Sequence, residues 1–334
     1  MPEHAVADYW DGRRHGPSLI RADQGRVVRV GPVPAGVLPR PVTVLPGLVD
    51  HHVHLGLVDH TGLADSPLVE VHDLGWDPRQ ALAWRRNPPR GLEVNVAGPF
   101  HTAPGGYPLG RPWAPDAAVR VVDSAAAAAR AVAEAVAAGY DLLKIALHAG
   151  MGLLSDEVLA ELVTSSHAAG LPVGVHAGGE GQAARAIEAG ADLLVHAPWT
   201  ERLTDDLLVS ARAMTWCSTL AIHDAAGRAC AIDNVRRFRE AGGRVVYGTD
   251  AGNGPAPLGV NPAEIRLLGE AGLHGDDLLA ALTGATEPGP ASDTRLLVSP
   301  HPLPATAEQV VAWLADCRRL AGTPLEENDV DQRP

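Results

Sequence analysis

The sequence predicts an α/β chain, a (β/α)8 barrel (TIM barrel) with a small, reduced β subdomain contributed by the two ends of the chain. Three observations carry this. Between residues 124 and 250 one phrase recurs: a helical segment, then Ala-Ala-Gly or Glu-Ala-Gly, then a short run rich in Val, Leu and Ile. The apolar runs do not alternate with polar residues, which is the pattern of parallel strands buried on both faces. Eight such runs fall at 44–54, 68–74, 92–98, 141–147, 172–177, 192–197, 214–220 and 244–250, and eight strands with intervening helices suit a closed barrel better than an open doubly wound sheet.

Taken in order, residues 18–31, including Gly25-Arg26-Val27-Val28-Arg29-Val30-Gly31, read as a hairpin-like pair of strands ahead of the barrel. Residues 55–67 leave little room for a first crossover helix. Ser124, Ser155 and the pair Asn261-Pro262 each precede a helical pattern and suit its start. Gly139, Gly170, Gly190 and Gly242 sit where a helix needs a left-handed residue to end, a conformation that costs glycine no steric clash. Residues 294–299 can return to pair with the N-terminal strands, and a last helix is expected at 306–320 with Val310, Val311, Leu314 and Cys317 on one face. Pro-rich stretches at 32–41 and 300–304 mark boundaries. The expected division is therefore 1–43 as N-terminal strands of the small subdomain, 44–285 as the barrel, and 286–334 as a remnant strand, a helix and an acidic tail, disordered beyond Pro324.

At 334 residues and 34.8 kDa the chain can bury one large core. A net charge of −13 without any basic tract excludes electrostatic capture of nucleic acid or of an anionic membrane, so a small molecule is the expected partner, with self-association into a homo-oligomer left open. Met1-Pro2-Glu3-His4 lacks the basic and apolar parts of a secretion signal, and no uninterrupted apolar stretch reaches a membrane-spanning length; a cytoplasmic location is the expectation. Cys217, Cys230 and Cys317 show neither zinc spacing nor a disulfide framework and read as reduced packing residues.

The chemistry is concentrated at strand ends. Strand one closes with Asp50-His51-His52-Val53-His54, and positions two apart on a strand face the same way, so His52 and His54 present paired imidazoles able to chelate one cation. Strands four, five, six and eight end with Lys144, His176, His196 and Asp250. Carboxyl ends of barrel strands converge on one mouth. Lys144 is the sole lysine against 26 arginines, at the end of the apolar run Asp141-Leu142-Leu143-Lys144-Ile145-Ala146-Leu147. A buried amine can lose its proton and react, whereas a guanidinium stays charged, so the retained amine points to chemistry and not to charge alone. His101, His148 and His223 follow strands three, four and seven and are candidates to bind substrate, as is Tyr107; Trp113 and Trp199 are candidate pocket walls. By strand alternation His51 points away, and Asp50 or Asp73 could orient ligating imidazoles.

These residues resemble the amidohydrolase superfamily in its binuclear branch with a carboxylated lysine. The likeness runs from about residue 18 to about residue 290, through Gly-Arg-Val-Val-Arg-Val-Gly and Pro46-Gly47-Leu48-Val49-Asp50-His51-His52-Val53-His54. It is closest to imidazolonepropionase-like and Xaa-Pro-dipeptidase-like members in His72-Asp73-Leu74-Gly75, Pro104-Gly105-Gly106-Tyr107 and Gly248-Thr249-Asp250-Ala251-Gly252. The resemblance implies that His52, His54 and Asp250 hold the more buried of two divalent metal ions, that His176 and His196 hold the second, and that Lys144, carrying carbon dioxide as a carbamate, bridges both. Zinc suits imidazole and carboxylate ligands; cobalt, manganese or iron fit the same set. The chain departs from this branch after Thr286, where only Asp293 to Ser299 remains of the usual second group of subdomain strands.

The function so implied is a metal-dependent hydrolase that cleaves an amide-type C–N bond, in a cyclic amide, an N-acyl amino acid or a dipeptide, using a hydroxide shared between the metals and Asp250 as proton shuttle. The same site would serve a lactone, ester or phosphotriester hydrolase. A non-hydrolytic lyase, dehydratase or cyclase is the alternative of a different class.

Overall fold

The computed structural model describes residues 3–23, 26–254, 257–285 and 296–320. Four strands open the chain: β1 (Glu3–Tyr9), β2 (Ser18–Asp23), β3 (Arg26–Pro32) and β4 (Arg40–Pro46). β1 and β2 pair antiparallel, as do β2 and β3, while β4 runs parallel to β1.

The apolar strand runs and the capped helices then alternate. β5 (Leu48–Val53) leads to β6 (Leu68–Asp73) through two short 3-10 turns, Leu55–Leu57 and His60–Asp65, so the first crossover contains no α-helix. Helix α1 (Pro78–Arg86) starts where Asp77 accepts from the Arg79 and Gln80 amides and Pro78 presets the first turn. β7 (Glu93–Val96), β8 (Phe100–Thr102) and β9 (Val119–Val121) precede α2 (Ala125–Ala138), which Ser124 caps and Gly139 ends at φ 75°. There follow β10 (Leu143–His148), α3 (Asp156–Ala168), β11 (Val173–Gly178), α4 (Gln182–Glu188), β12 (Leu193–Leu194), α5 (Asp205–Ser210), β13 (Thr215–Cys217), α6 (Ala225–Glu240), β14 (Arg244–Val246) and α7 (Pro262–Glu270). Ser155 and Asn261 cap α3 and α7, and Gly170, Gly190 and Gly242 all take positive φ, as the sequence pattern requires. The chain closes with α8 (Gly275–Thr283), β15 (Leu296–Ser299), α9 (Ala307–Ala315) and β16 (Arg318–Leu320).

Two compact units result. One is formed by Met1–Val49, Asp65–Val69 and Leu273–Pro334, the other by Asp50–Ala64 and Glu70–Gly272. In the first, the described strands make one sheet in the order β16-β15-β4-β1-β2-β3, over a core of Val6, Tyr9, Ile20, Val42, Val44, Leu296, Val298 and Leu320. Helix α8 belongs to this unit, where Asp276 accepts from Trp10 Nε1 at 2.8 Å. The helix expected over 306–320 ends at Ala315, because Arg318–Leu320 pairs antiparallel with β15 and adds a sheet edge in place of another helical turn. Asp293–Arg295 and the tail beyond Pro324 lie outside the described residues.

In the second unit the fold is mixed α/β, with a seven-stranded sheet, β14-β13-β12-β11-β10-β8-β9, and a three-stranded one, β5-β6-β7, among the described residues. Among the described residues, each pairing in the larger sheet is parallel. The apolar run at 92–98 does not stay with one partner. It pairs with β6 up to Val96, turns at Gly98 (φ 66°) and Pro99, and resumes as β8 beside β10. Backbone bonds join the two sheets at both sides: His51 N to Tyr247 O (3.0 Å) and Asp250 N to His52 O (2.8 Å) on one, Asp141 N to Val96 O (2.9 Å) on the other. No helix among the described residues is long and apolar enough to cross a membrane.

Thr43 ties the first unit together. Its hydroxyl donates to His301 O (2.7 Å), a partly buried bond, and accepts from the buried Trp313 Nε1 (2.8 Å). Replacing Thr43 by Val keeps the shape and orphans both partners, so Thr43→Val is expected to lower stability by about 1–3 kcal/mol, read as a lower urea midpoint. An unchanged midpoint would show that water replaces the hydroxyl.

Candidate metal centre

The end of β5 and the segment after β14 bring three buried side chains together. His52 Nε2 and His54 Nε2 lie 3.3 Å apart, and each lies 3.3 Å from Asp250 Oδ1. Both imidazoles have their other nitrogen committed: His52 Nδ1 donates to Val195 O (2.7 Å) and His54 Nδ1 to Gly75 O (3.1 Å). A carbonyl only accepts, so the proton sits on Nδ1 and each Nε2 offers a lone pair. Burial pushes the His52 ring down to about 3, which keeps it neutral. Asp250 Oδ1 is buried and makes no hydrogen bond among the described residues. Three lone-pair donors therefore face one another with no proton between them. Donors bound to a tetrahedral zinc at about 2.0–2.1 Å stand about 3.3–3.4 Å apart, so this triangle fits a divalent cation without rearrangement.

The backbone works to hold Asp250 there. It occupies the left-handed region at φ 52°, rare for a residue with a side chain. Its amide donates to His52 O, and Asn253 Nδ2 donates to its Oδ2 at 2.9 Å, leaving Oδ1 toward the imidazoles. Burial works against charge on the Asp250 carboxyl, and the hydrogen bond from Asn253 favours its carboxylate form. Gly248, two residues earlier, has no room for a side chain: a Cβ there would lie 2.1 Å from Cys217 Sγ and 3.1 Å from His52 Cβ.

The remaining strand-end residues surround this triangle. The His196 ring lies 4.6 Å from His52 and 5.0 Å from His176, centroid to centroid. His196 Nδ1 is engaged by Thr219 Oγ1 (2.8 Å) and His176 Nε2 by His148 Nδ1 (3.3 Å), which leaves His196 Nε2 and His176 Nδ1 for other ligands. Burial drives both rings well down and keeps them neutral. Lys144 is 1% exposed, with Nζ 5.7 Å from the centre of the Phe100 ring. Desolvation lowers its amine to about 7, against the pull of the Asp250, Cys217 and Asp73 charges. The triangle alone forms a compact donor group among the described residues; Lys144, His176 and His196 adjoin it without closing a second one.

Of the candidate substrate residues, three line the same region. Tyr107 stacks on His176 (4.8 Å) and on His148 (5.2 Å), and His223 stacks on Trp199 at 4.7 Å with its Nε2 buried and making no hydrogen bond among the described residues. Trp113 packs near His54 (6.2 Å) and Tyr107 (6.0 Å). His101 is a correction. It does not join the mouth: Phe100, its neighbour on β8, faces His54 and Lys144, so alternation turns the His101 ring the other way, toward Arg120, Glu134 and Tyr140. Its Nδ1 donates to Lys144 O at 3.0 Å, a structural bond.

Asp50 and Asp73 also differ from expectation. Neither bonds a ligating imidazole. Asp50 accepts from Thr249 N (3.0 Å), Thr249 Oγ1 (2.6 Å) and His52 N (3.1 Å), and Asp73 accepts from Leu55 N (2.8 Å) and Gly75 N (3.4 Å). They fix the loops that carry the ligands, while main-chain carbonyls orient the rings. Three supporting residues escaped the sequence reading: Thr219, at φ 42°, Asn253, and Glu264, whose carboxylate accepts from Leu220 N (2.8 Å) and Ala221 N (2.7 Å) beneath the His223 turn. Asn253 follows Gly-Thr-Asp-Ala-Gly closely enough to have been suspected; the other two depend on pairings across the fold.

No protein-family model matches the sequence, and no curated protein matches it significantly. Solved structures do match in shape. A Xaa-Pro dipeptidase with methionine bound in its active site aligns at TM-score 0.72 and 19% identity over 96% of this chain and 98% of its own. An amidohydrolase aligns at 0.73 and 16% over 96% and 99%, and the ochratoxinase of A. niger at 0.73 and 15% over 96% and 94%. At these identities the likeness shows a shared fold and nothing further.

Burial pushes the Glu264 carboxyl up to about 7 from an ordinary 4.5. The folded state then binds more protons than the unfolded one between these values, so stability falls as pH rises through that window. Glu264→Gln is expected to remove this group's share of the slope, at most about 1.4 kcal/mol per pH unit, and to leave that of Asp50, whose carboxyl burial also raises to about 7. Denaturation curves at pH 5, 6 and 7 measure it, and parallel slopes in both proteins would count against the assignment.

Proposed function

We propose that this chain, with the fold of amidohydrolases, is a binuclear metal-dependent hydrolase of amide-type C–N bonds, acting on a cyclic amide, an N-acyl amino acid or a dipeptide. The observation that carries the reading is the buried triangle of His52, His54 and Asp250, three lone pairs converging at 3.3 Å beside a buried amine and two further neutral imidazoles. His52, His54 and Asp250 would hold one divalent ion, and His176 and His196 the other. Lys144 would take up carbon dioxide as a carbamate and contribute an oxygen to each. We read the parallel strands as a closed (β/α)8 barrel with this site at its carboxyl end. Zinc suits the donor set. Bound ions would supply an acidified water and a Lewis acid for the scissile carbonyl.

The chain's own groups account for the rest. Asp250, held at Oδ2 by Asn253, is positioned to accept the proton released by the attacking water and return it to the leaving nitrogen, so that amide and water give a carboxylate and an amine. His223, His148 and Tyr107, whose rings pack beside the candidate ligands, would supply donors to a substrate carbonyl or terminal carboxylate, and the Trp113 and Trp199 rings would offer apolar wall. The substrate class is supported by solved structures with this fold, a Xaa-Pro dipeptidase and an ochratoxinase among them.

Metal analysis followed by assays on lactams, N-acyl amino acids, dipeptides and lactones tests the reading. Labelled oxygen from water is expected in the product carboxylate; turnover without it would favour a lyase, and turnover of lactones alone the ester-cleaving alternative. Lys144→Ala and Lys144→Arg should both lose most of the second metal, with partial rescue of the alanine variant by a small carboxylic acid. Unchanged metal stoichiometry in either would refute the bridge. Because the Lys144 amine sits near 7, its neutral form, and with it carbamate formation in metal-free protein, should rise with pH from about 6 to 8. Carbon-13 spectra in labelled bicarbonate would report this, and a pH-independent signal would contradict it.

A further inference from the structure

The second unit holds a cavity of about 440 Å³ at the other end of its parallel strands, among residues that precede or open β10, β11, β12, β13 and β14: Leu142, Pro172, Leu193, Thr215 and Arg244. Nothing in the hydrolytic reading uses it. Its inner boundary is an apolar layer of Leu74, Ala97, Leu142, Leu193 and Val195. The same layer carries Val195 O, the acceptor for His52, and Leu74 lies next to Gly75, the acceptor for His54. Cavity and metal ligands thus lie on opposite sides of one sheet of packed side chains.

The polar lining is uneven. Asp141 is engaged by Arg85 (3.0 Å) and by Val96 N (2.9 Å), and Asp192 by His167 (2.8 Å) and Val173 N (2.7 Å), so both rim carboxylates already answer to neighbours. His72 Nε2 is bound to Glu70 Oε1 at 2.7 Å, and Asn95 Nδ2 donates to the same oxygen. His51 differs. Its ring packs edge-on against His72 at 4.7 Å, and its Nε2 is buried and makes no hydrogen bond among the described residues. Arg244 lines the same cavity. A buried ring nitrogen without a partner is a cost that a ligand's polar group can remove. An arginine beside it favours an acceptor with negative charge.

We propose that this cavity is a second ligand site for a small aliphatic carboxylate, with the acid group held by His51 Nε2 and Arg244 and the hydrocarbon body resting on the Leu74, Ala97, Leu142 and Leu193 floor. A volume of this order suits a ligand of amino-acid size. Simple fatty acids and apolar amino acids share the chemistry. Asp141 and Asp192 also line the cavity, and a negative lining favours a ligand that carries an ammonium group as well.

The test uses calorimetric titration of the full chain with 4-methylpentanoate and, separately, with leucine. Each also has access to the metal mouth, so the titrations are repeated on metal-stripped protein and on Asp250→Asn, in which the cavity is untouched. Saturable binding of at least one ligand is expected to persist in both. It should weaken at least about tenfold in Arg244→Met, a change at an exposed rim that leaves the core intact, and in His51→Phe where that variant folds. Leucine binding without 4-methylpentanoate binding identifies an amino-acid site; binding of both identifies the carboxylate as sufficient. Absence of saturable binding in metal-stripped protein, or equal affinity in Arg244→Met, overturns the proposal and leaves the hydrolytic reading untouched.

Discussion

The candidate metal centre rests on two hydrogen bonds that leave the facing nitrogen of each ring free. His52 Nδ1 to Val195 O and His54 Nδ1 to Gly75 O fix which nitrogen of each ring carries a proton and which way each ring faces. A carboxylate partner would do the same while adding charge; a carbonyl orients the ring and leaves it neutral. Everything else follows from that choice. Two lone pairs then point at Asp250 Oδ1, itself pinned by an uncommon backbone conformation, and the three atoms form a group that could hold a cation. The cost of assembling three mutually repelling donors is met by the strands, whose parallel pairing determines where Val195 and Gly75 present their oxygens.

The same economy of charge governs the surroundings. Around the triangle the fold places neutral imidazoles and aromatic rings, and the principal ionisable group besides Asp250 is an amine whose burial takes it close to neutrality. Such a setting disfavours any charged form lacking a partner. It also explains the division of labour among the carboxylates. Asp50, Asp73 and Glu264, all fully buried, spend their acceptor capacity on backbone amides and hydroxyls of the loops, where each fixes a turn that carries a ligand or a rim residue.

Much of this was legible in the sequence because it is local. Glycines at 139, 170, 190 and 242 mark helix ends through a conformational need that involves only neighbouring residues, and the apolar runs identify strands whatever their partners. His52, His54, Lys144, His176, His196 and Asp250 could be found since strand ends are countable and their side chains chemically distinctive. What escaped depends on pairing at a distance. The run at 92–98 reads as one strand, yet Gly98 and Pro99 let the chain change partners, and the added β8 inverts the direction in which His101 would have been expected to face. The last helix stops early for a like reason: Arg318–Leu320 has more to gain from the edge of β15 than from another turn, and nothing within that segment announces it.

One consequence of the composition concerns how the molecule meets reagents and enzymes that seek amines. Every cationic side chain but one is a guanidinium, and the exception is 1% exposed. Acylating agents, aldehyde cross-linkers and enzymes that attach groups to lysine therefore find no accessible side-chain target on the folded chain. Opening of the strand region around Lys144 would create one, so incorporation of an amine-directed label at that residue would serve as a clock for local unfolding at the heart of the site.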